Sequence, residues 1–200
     1  MRNNFLLTAS ILLLSMISAV ASATVINPAS NNWYLFDVDA QVSQSGGTEW
    51  IDAQQDDSLG YVGDGSALTF SFSLATSSVL NLVDAGISGD VFSLLINGNN
   101  YTSSAVAADS GLYAGSDFDY AWTSAEFSRL SVLLTPGDYT ITGFLNQSAA
   151  DEFGSAYFAT LGGLQIVAVD EPGILLLLVV AALAFGLRRR LQINAKGVLV

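Results

Sequence analysis

The chain has no cysteine and no histidine, and its only lysine is Lys196, close to the C-terminus. Those absences remove the Ser-His-Asp, Cys-His and Ser-Lys nucleophile systems from residues 24–169. They also leave zinc and copper without the imidazole and thiolate ligands those ions prefer. No disulfide can form, so the fold must hold by burial alone, and a segment of roughly 150 residues can bury about 68–70% of its unfolded surface as one domain. A lipid anchor on an N-terminal cysteine is excluded for the same reason.

Positive charge is almost as scarce. All 18 acidic residues lie between Thr24 and Glu171, where Arg129 is the single basic residue, so this segment carries a formal charge of −17. The whole-chain value of −12 conceals that figure, because five of the six basic residues sit at the ends. Phosphate binding depends on Lys and Arg, so nucleic acid is excluded as a partner. Acidity of this kind suits solubility outside the cell, divalent cations or neutral sugars.

Helical periodicity is nearly absent, and alternation of apolar with polar residues takes its place. Leu68, Phe70, Phe72 and Leu74 alternate with Thr69, Ser71 and Ser73, which is the pattern of a half-buried strand. A second strand is predicted over 33–42, with Tyr34, Phe36, Val38 and Ala40 on one face and Asp37 and Asp39 on the other. Further strands are expected over 79–85, 91–96, 127–134 and 139–145. Asn97-Gly98 should close a hairpin into 101–104. Thr135-Pro136-Gly137-Asp138 predicts a type II turn. Two closing strands are expected over 156–161 and 164–169, separated by a bend at Gly162-Gly163. Residues 43–66 and 105–124 lack periodicity and are expected as long loops. Short strands with this punctuation predict an all-β, antiparallel β-sandwich over 24–169. Gly89-Asp90-Val91-Phe92, Asn97-Gly98 and Leu134-Thr135-Pro136-Gly137-Asp138-Tyr139 resemble a recurring pattern of secreted jelly-roll domains, which implies a jelly-roll-like version of that sandwich.

Carboxylate, hydroxyl and aromatic chemistry remain for any site. Calcium takes oxygen ligands, and Asp52, Asp56, Asp57 and Asp64 crowd one Gly-containing loop, so this is the candidate calcium site. Asp117 and Asp119 form a second acidic group, and neither group has EF-hand spacing. Trp50, Tyr61, Tyr113, Tyr120 and Trp122 fall in or beside the irregular stretches, where they could stack on sugar rings, with Trp50 and Trp122 the ligand-binding candidates; Trp33, at a strand start, reads as core. Glu49, Asp52, Glu126 and Glu152 could supply a carboxylate pair for glycoside hydrolysis, although no motif selects a pair.

The ends carry the most specific signals. Arg2, the apolar stretch 5–20 and the small-x-small pattern Ala21-Ser22-Ala23 read as a signal peptide over 1–23, with signal peptidase cutting after Ala23. At the other end Asp170-Glu171-Pro172-Gly173 precedes an uncharged run, 174–187, and then Arg188-Arg189-Arg190. A 14-residue helix rises about 21 Å, less than the roughly 30 Å of a bilayer core. Such a segment suits a transient membrane anchor more than a permanent span. The arginines favour the cytoplasmic side, which leaves everything upstream outside and 191–200 as a short cytoplasmic tail.

This order of elements over 170–190 resembles the PEP-CTERM sorting signal of Gram-negative bacteria. The usual first proline of that motif is Asp170 here, and the family normally ends at the arginines. The resemblance implies that an exosortase removes the tail near Pro172, after a membrane-anchored intermediate has formed. It implies a protein exported through the inner membrane to the cell surface or the extracellular matrix, with exopolysaccharide as a partner. Taken together, the expected function is that of an exported, non-enzymatic surface or matrix protein; the alternatives are a carbohydrate-binding or adhesive module and a carboxylate-based glycosidase.

Overall fold

In the computed structural model the described residues are 22–52, 55–56, 60–61, 65–157, 159–169 and 182. They form thirteen strands and one short helix: β1 (Ser22–Val25), β2 (Trp33–Asp39), β3 (Gln55–Asp56), β4 (Gly60–Tyr61), β5 (Leu68–Leu74), β6 (Ser78–Asp84), β7 (Gly86–Ile87), β8 (Val91–Ile96), β9 (Asn99–Thr102), β10 (Tyr113–Gly115), α1 (Phe118–Thr123), β11 (Arg129–Leu134), β12 (Gly137–Gln147) and β13 (Ala159–Ala168). One sheet has the order β1-β5-β12-β8-β9 and a second the order β11-β6-β13-β2; β7 with β10 and β3 with β4 make two small ribbons. Every pairing is antiparallel except that of β1 with β5, which is parallel.

The two large sheets face each other across one core. Leu68, Phe70 and Phe72 of β5, Phe92 and Leu94 of β8 and Ile141 of β12 meet Phe36, Leu80, Leu82 and Leu164 of the opposite sheet. Alternation brings this about, because period-2 patterning turns one side of each strand inward. Phe36 on β2 meets Phe92 on β8 edge-on, with ring centroids 5.2 Å apart. The expected strands at 68–74, 79–85 and 91–96 are all present, with shifts at their ends. Asn97 (φ 48°) and Gly98 (φ 82°) form the expected tight hairpin turn, joining Ile96 to its partner Asn99.

Other expectations are corrected. The 156–161 and 164–169 strands are one continuous β13. Gly162 and Gly163 do not bend it: they lie under aromatic rings. A Cβ on Gly162 would stand 2.3 Å from Phe36 Cζ, and one on Gly163 would stand 2.7 Å from Phe118 Cδ1. The Pro136-Gly137 type II turn is also absent. β11 and β12 belong to different sheets, and Gly137 takes a positive φ of 154°, far from the roughly 80° of a type II turn, as the chain crosses between them.

The two non-periodic stretches are not simple loops. In the first, Ile51 bridges Asp37 on one side and Ala67 on the other, while Glu49 bridges Phe144. In the second, β10 and α1 cover the outer face of the sheet that contains β6. There Val83, Ala121 and Phe127 form a second core with Trp33, Phe118 and Trp122 against it. This cover explains why β6 is buried on both faces: Leu80 and Leu82 point to the main core and Val83 points outward under the helix.

Candidate functional site

The candidate site lies at the end of the sandwich where β2 stops and β13 starts. Antiparallel pairing puts Asp39 opposite Ala159 and Asp84 opposite Gly162, so the last residues of β2 and β6 arrive at the same edge. The six-residue return from β6 to β8 then carries Asp90 to that edge. A cleft of about 260 Å³ opens there, and Asp37, Asp39, Asp90, Tyr113, Tyr157 and Thr160 contribute its polar lining. Tyr113 and Tyr157 are 71% and 46% exposed, at the surface of the cleft.

Two of its carboxyl groups, those of Asp37 and Asp90, are perturbed because folding takes them out of water. Burial, reinforced by the charge on Asp39, pushes the Asp37 carboxyl up to about 6. Asp90 is likewise pushed up to about 6 by burial, against the opposing pull of hydrogen bonds from the Thr160 hydroxyl and the Ala149 backbone N–H. The Ala149 N–H reaches Asp90 Oδ1 at 2.6 Å. Behind Asp90 stands Asp84, which is wholly buried. Its Oδ2 accepts the backbone N–H groups of Gly89 and Asp90, each at 3.3 Å. Its Oδ1 is buried without a hydrogen-bond partner. Burial first, and then the charge of Asp90, hold the Asp84 carboxyl far above the ordinary range, outweighing the backbone N–H groups of Gly89, Asp90 and Ser128.

Of the described residues singled out from sequence as site candidates, Tyr113 alone lines this cleft. Trp50 is a correction: it is 0% exposed and stacks on Phe36 with ring centroids 3.8 Å apart. Its backbone donates to Gly143 O at 2.8 Å, and its ring lies so close to Gly143 that a Cβ there would stand 2.3 Å from Cε2. It therefore cannot serve as a sugar platform. Trp122 is half-buried against the second core, away from the cleft, with its ring centroid 6.0 Å from that of Trp33. Trp33 is half-buried beneath α1, and its Nε1–H donates to Asp119 Oδ1 at 2.8 Å.

Asp117 caps the start of α1 by accepting the Tyr120 N–H at 2.9 Å, so the second acidic group serves the helix and its packing. Of the candidate calcium ligands, Asp52 is half-buried beside Ile51 and the backbone of Asp56 lies in β3. The side chain of Asp56 and all of Asp57 and Asp64 lie outside the described residues. Among the described residues no three His, Cys, Asp or Glu side chains converge closely enough to hold a metal by themselves. Glu49, Asp52, Glu126 and Glu152 do not line the cleft. Burial would raise the Glu49 carboxyl, but hydroxyl donors on Ser43 and Ser45 and its own backbone N–H outweigh it and hold the group below its ordinary value.

At the N-terminal end Ala23 pairs with Thr69 inside β1, whereas Ala21 lies outside the described residues. The sorting-motif residues Asp170, Glu171, Pro172, Gly173, Arg188, Arg189 and Arg190 also lie outside them. Among the described residues no helix is long and apolar enough to cross a membrane.

The cleft's carboxylates were not legible in the sequence because they come from β2 and the β6–β8 return, some fifty positions apart. The available signal was Asp84 and Asp90 flanking a strand break, two acids where alternation would place apolar residues.

Fold and site together define an all-β domain of two packed antiparallel sheets with an acidic cleft at one end. No family model matches the chain, and no curated protein does. Among solved structures the chain is similar to the pre-peptidase C-terminal domain of a collagenase from Bacillus anthracis, at 10% identity and a TM-score of 0.35, over 74% of this chain and 96% of that one. It is also similar to CorA, a surface-associated copper-binding protein of Methylomicrobium album BG8, at 13% identity and a TM-score of 0.36, over 74% and 98%. Nothing about ligand or activity passes from either protein to this chain.

Proposed function

We propose that this chain is an exported, non-enzymatic surface or extracellular-matrix protein, delivered through its C-terminal tail as an exosortase substrate. The observation that carries the reading is where the sandwich ends. β13 runs to Ala168, paired with Ser78, and the Val169 N–H donates to Ser77 O at 3.2 Å. The tail begins at the next residue, Asp170. Its removal would leave every pairing of the described strands intact, which is the arrangement a cleavable sorting segment needs.

The domain itself reads as a jelly roll. Strands β2-β13-β6-β11 face β5-β12-β8-β9, and the chain passes repeatedly between the two sheets, as two interlocked Greek keys require. Signal peptidase cleavage after Ala23 would shorten β1 to Thr24 and Val25 and leave Ile26 buried in the core. Mass spectrometry of the exported protein tests the processing: both termini trimmed supports the reading, and an intact C-terminus in the exported fraction contradicts it.

One observation favours a second reading, a sugar-binding or adhesive module. Tyr113 and Tyr157 stand exposed beside Asp37 and Asp90, so aromatic faces and hydroxyl acceptors share one cleft. Retention on exopolysaccharide that falls in Tyr113→Ala and Tyr157→Ala supports it. Retention untouched by both substitutions counts against it.

A further inference from the structure

We propose that Asp84 and Asp90 hold a divalent cation of the calcium type, at a site separate from the Asp52 loop. The pair joins two features that are hard to reconcile without a ligand. Both carboxyl groups are buried, Asp84 at 0% and Asp90 at 1% exposure, and Asp84 Oδ1 has no hydrogen-bond partner. An unpaired buried carboxylate oxygen is costly, and native proteins rarely tolerate one.

Among the described residues no basic side chain relieves it. Arg129 is the only basic residue in the segment, and its guanidinium donates instead to the backbone carbonyl of Trp122 at 2.8 Å. A proton relieves only part of the problem. A proton on Asp84 would remove its charge but brings no donor group to Oδ1, which has none. A doubly charged cation matches the charge of two carboxylates and occupies the free oxygen directly.

The donor chemistry restricts which cation fits. With neither imidazole nor thiolate in the chain, every ligand is oxygen, which selects hard ions. Two carboxylates do not fill a calcium shell of six to eight oxygens, so hydroxyl, main-chain and water oxygens must supply the rest. The Thr160 hydroxyl already bears on Asp90, and Asp90 lines the cleft, which offers both water and an entry path. Asp84 Oδ2 meanwhile keeps its two backbone N–H donors, which fix the carboxylate with Oδ1 left for the ion.

The full chain, stripped with chelator and melted against added calcium or magnesium, tests the site. Calcium should raise the midpoint by about 5–10 °C at a hundred times its dissociation constant, and further with the logarithm of its concentration, and magnesium should raise it less. Asp84→Asn and Asp90→Asn should each abolish that rise, whereas Asp52→Asn should keep it. A midpoint indifferent to calcium overturns the proposal, and so does a full response in Asp84→Asn. Loss of the response in Asp52→Asn alone would assign calcium to the loop instead and equally overturn it. If the aspartate variants do not fold, terbium luminescence of the wild-type chain serves: emission displaced by calcium is expected, and its absence contradicts the site.

Discussion

At the scale of single residues, tight packing and unpaired charge explain most of what is unusual here. Gly162 and Gly143 are flat places on their strands onto which Phe36 and Trp50 lie, and any side chain would displace a ring. Gly162→Ala should therefore destabilise the protein by about 1–3 kcal/mol, as over-packing does, read as a lower denaturant midpoint. Trp50→Ala should cost about 3–5 kcal/mol, and Trp122→Ala less, since Trp122 is only partly buried. Trp50 reads as a loop residue in the sequence because its burial comes from isolated bridges at Glu49 and Ile51, which leave no alternating pattern. Asp37 adds a pH effect. Its folded-state pKa of about 6 lies above the ordinary 3.8, so its stabilising share is complete below about pH 4 and lost as pH rises through 6. Asp37→Asn should consequently gain up to about 3 kcal/mol at pH 8, shrinking toward nothing near pH 4, in urea titrations of both proteins at the two pH values.

Elements show what alternation can and cannot encode. Residues 68–74 announce a strand and its buried face, because Leu68, Phe70, Phe72 and Leu74 recur at every second position. Period 2 does not say which sheet the strand joins. Hence the Pro136-Gly137 link resembles a hairpin turn in sequence while in fact carrying the chain from one sheet to the other. α1 leaves no signal for a related reason: six residues, Phe118–Thr123, are too few for helical periodicity, and the helix stands by its Asp117 cap and its packing on Val83. The β8–β9 hairpin, by contrast, is fully readable from Asn97-Gly98. Asn97 also ties that turn to β12, donating from Nδ2 to Asp138 O at 2.9 Å and accepting the Thr140 N–H at 2.8 Å. Asn97→Ala loses both bonds and the tolerance for positive φ, so it should cost about 1–2 kcal/mol, measurable as a lower thermal midpoint.

For the whole molecule, the ruling facts are a core without covalent staples and a strongly acidic exterior. Large aromatic residues, Phe36, Trp50, Phe70 and Phe92, gather where the two sheets meet and supply the burial that disulfides would otherwise supplement. β13 and its last bond, at Val169, end one residue before the proposed sorting tail, and of the −17 carried by 24–171 the part upstream of that tail keeps −15, since Asp170 and Glu171 belong to the tail. Like-charged domains repel at low ionic strength, which keeps such a protein dispersed until salt or cations screen it. The proposed export and sorting depend on the two ends being removed. Intact-mass measurement of the protein recovered outside the producing cells tests this most directly. The reading predicts a chain that starts at Thr24 and stops upstream of the apolar run at 174–187; an exported chain still ending at Val200 would contradict it.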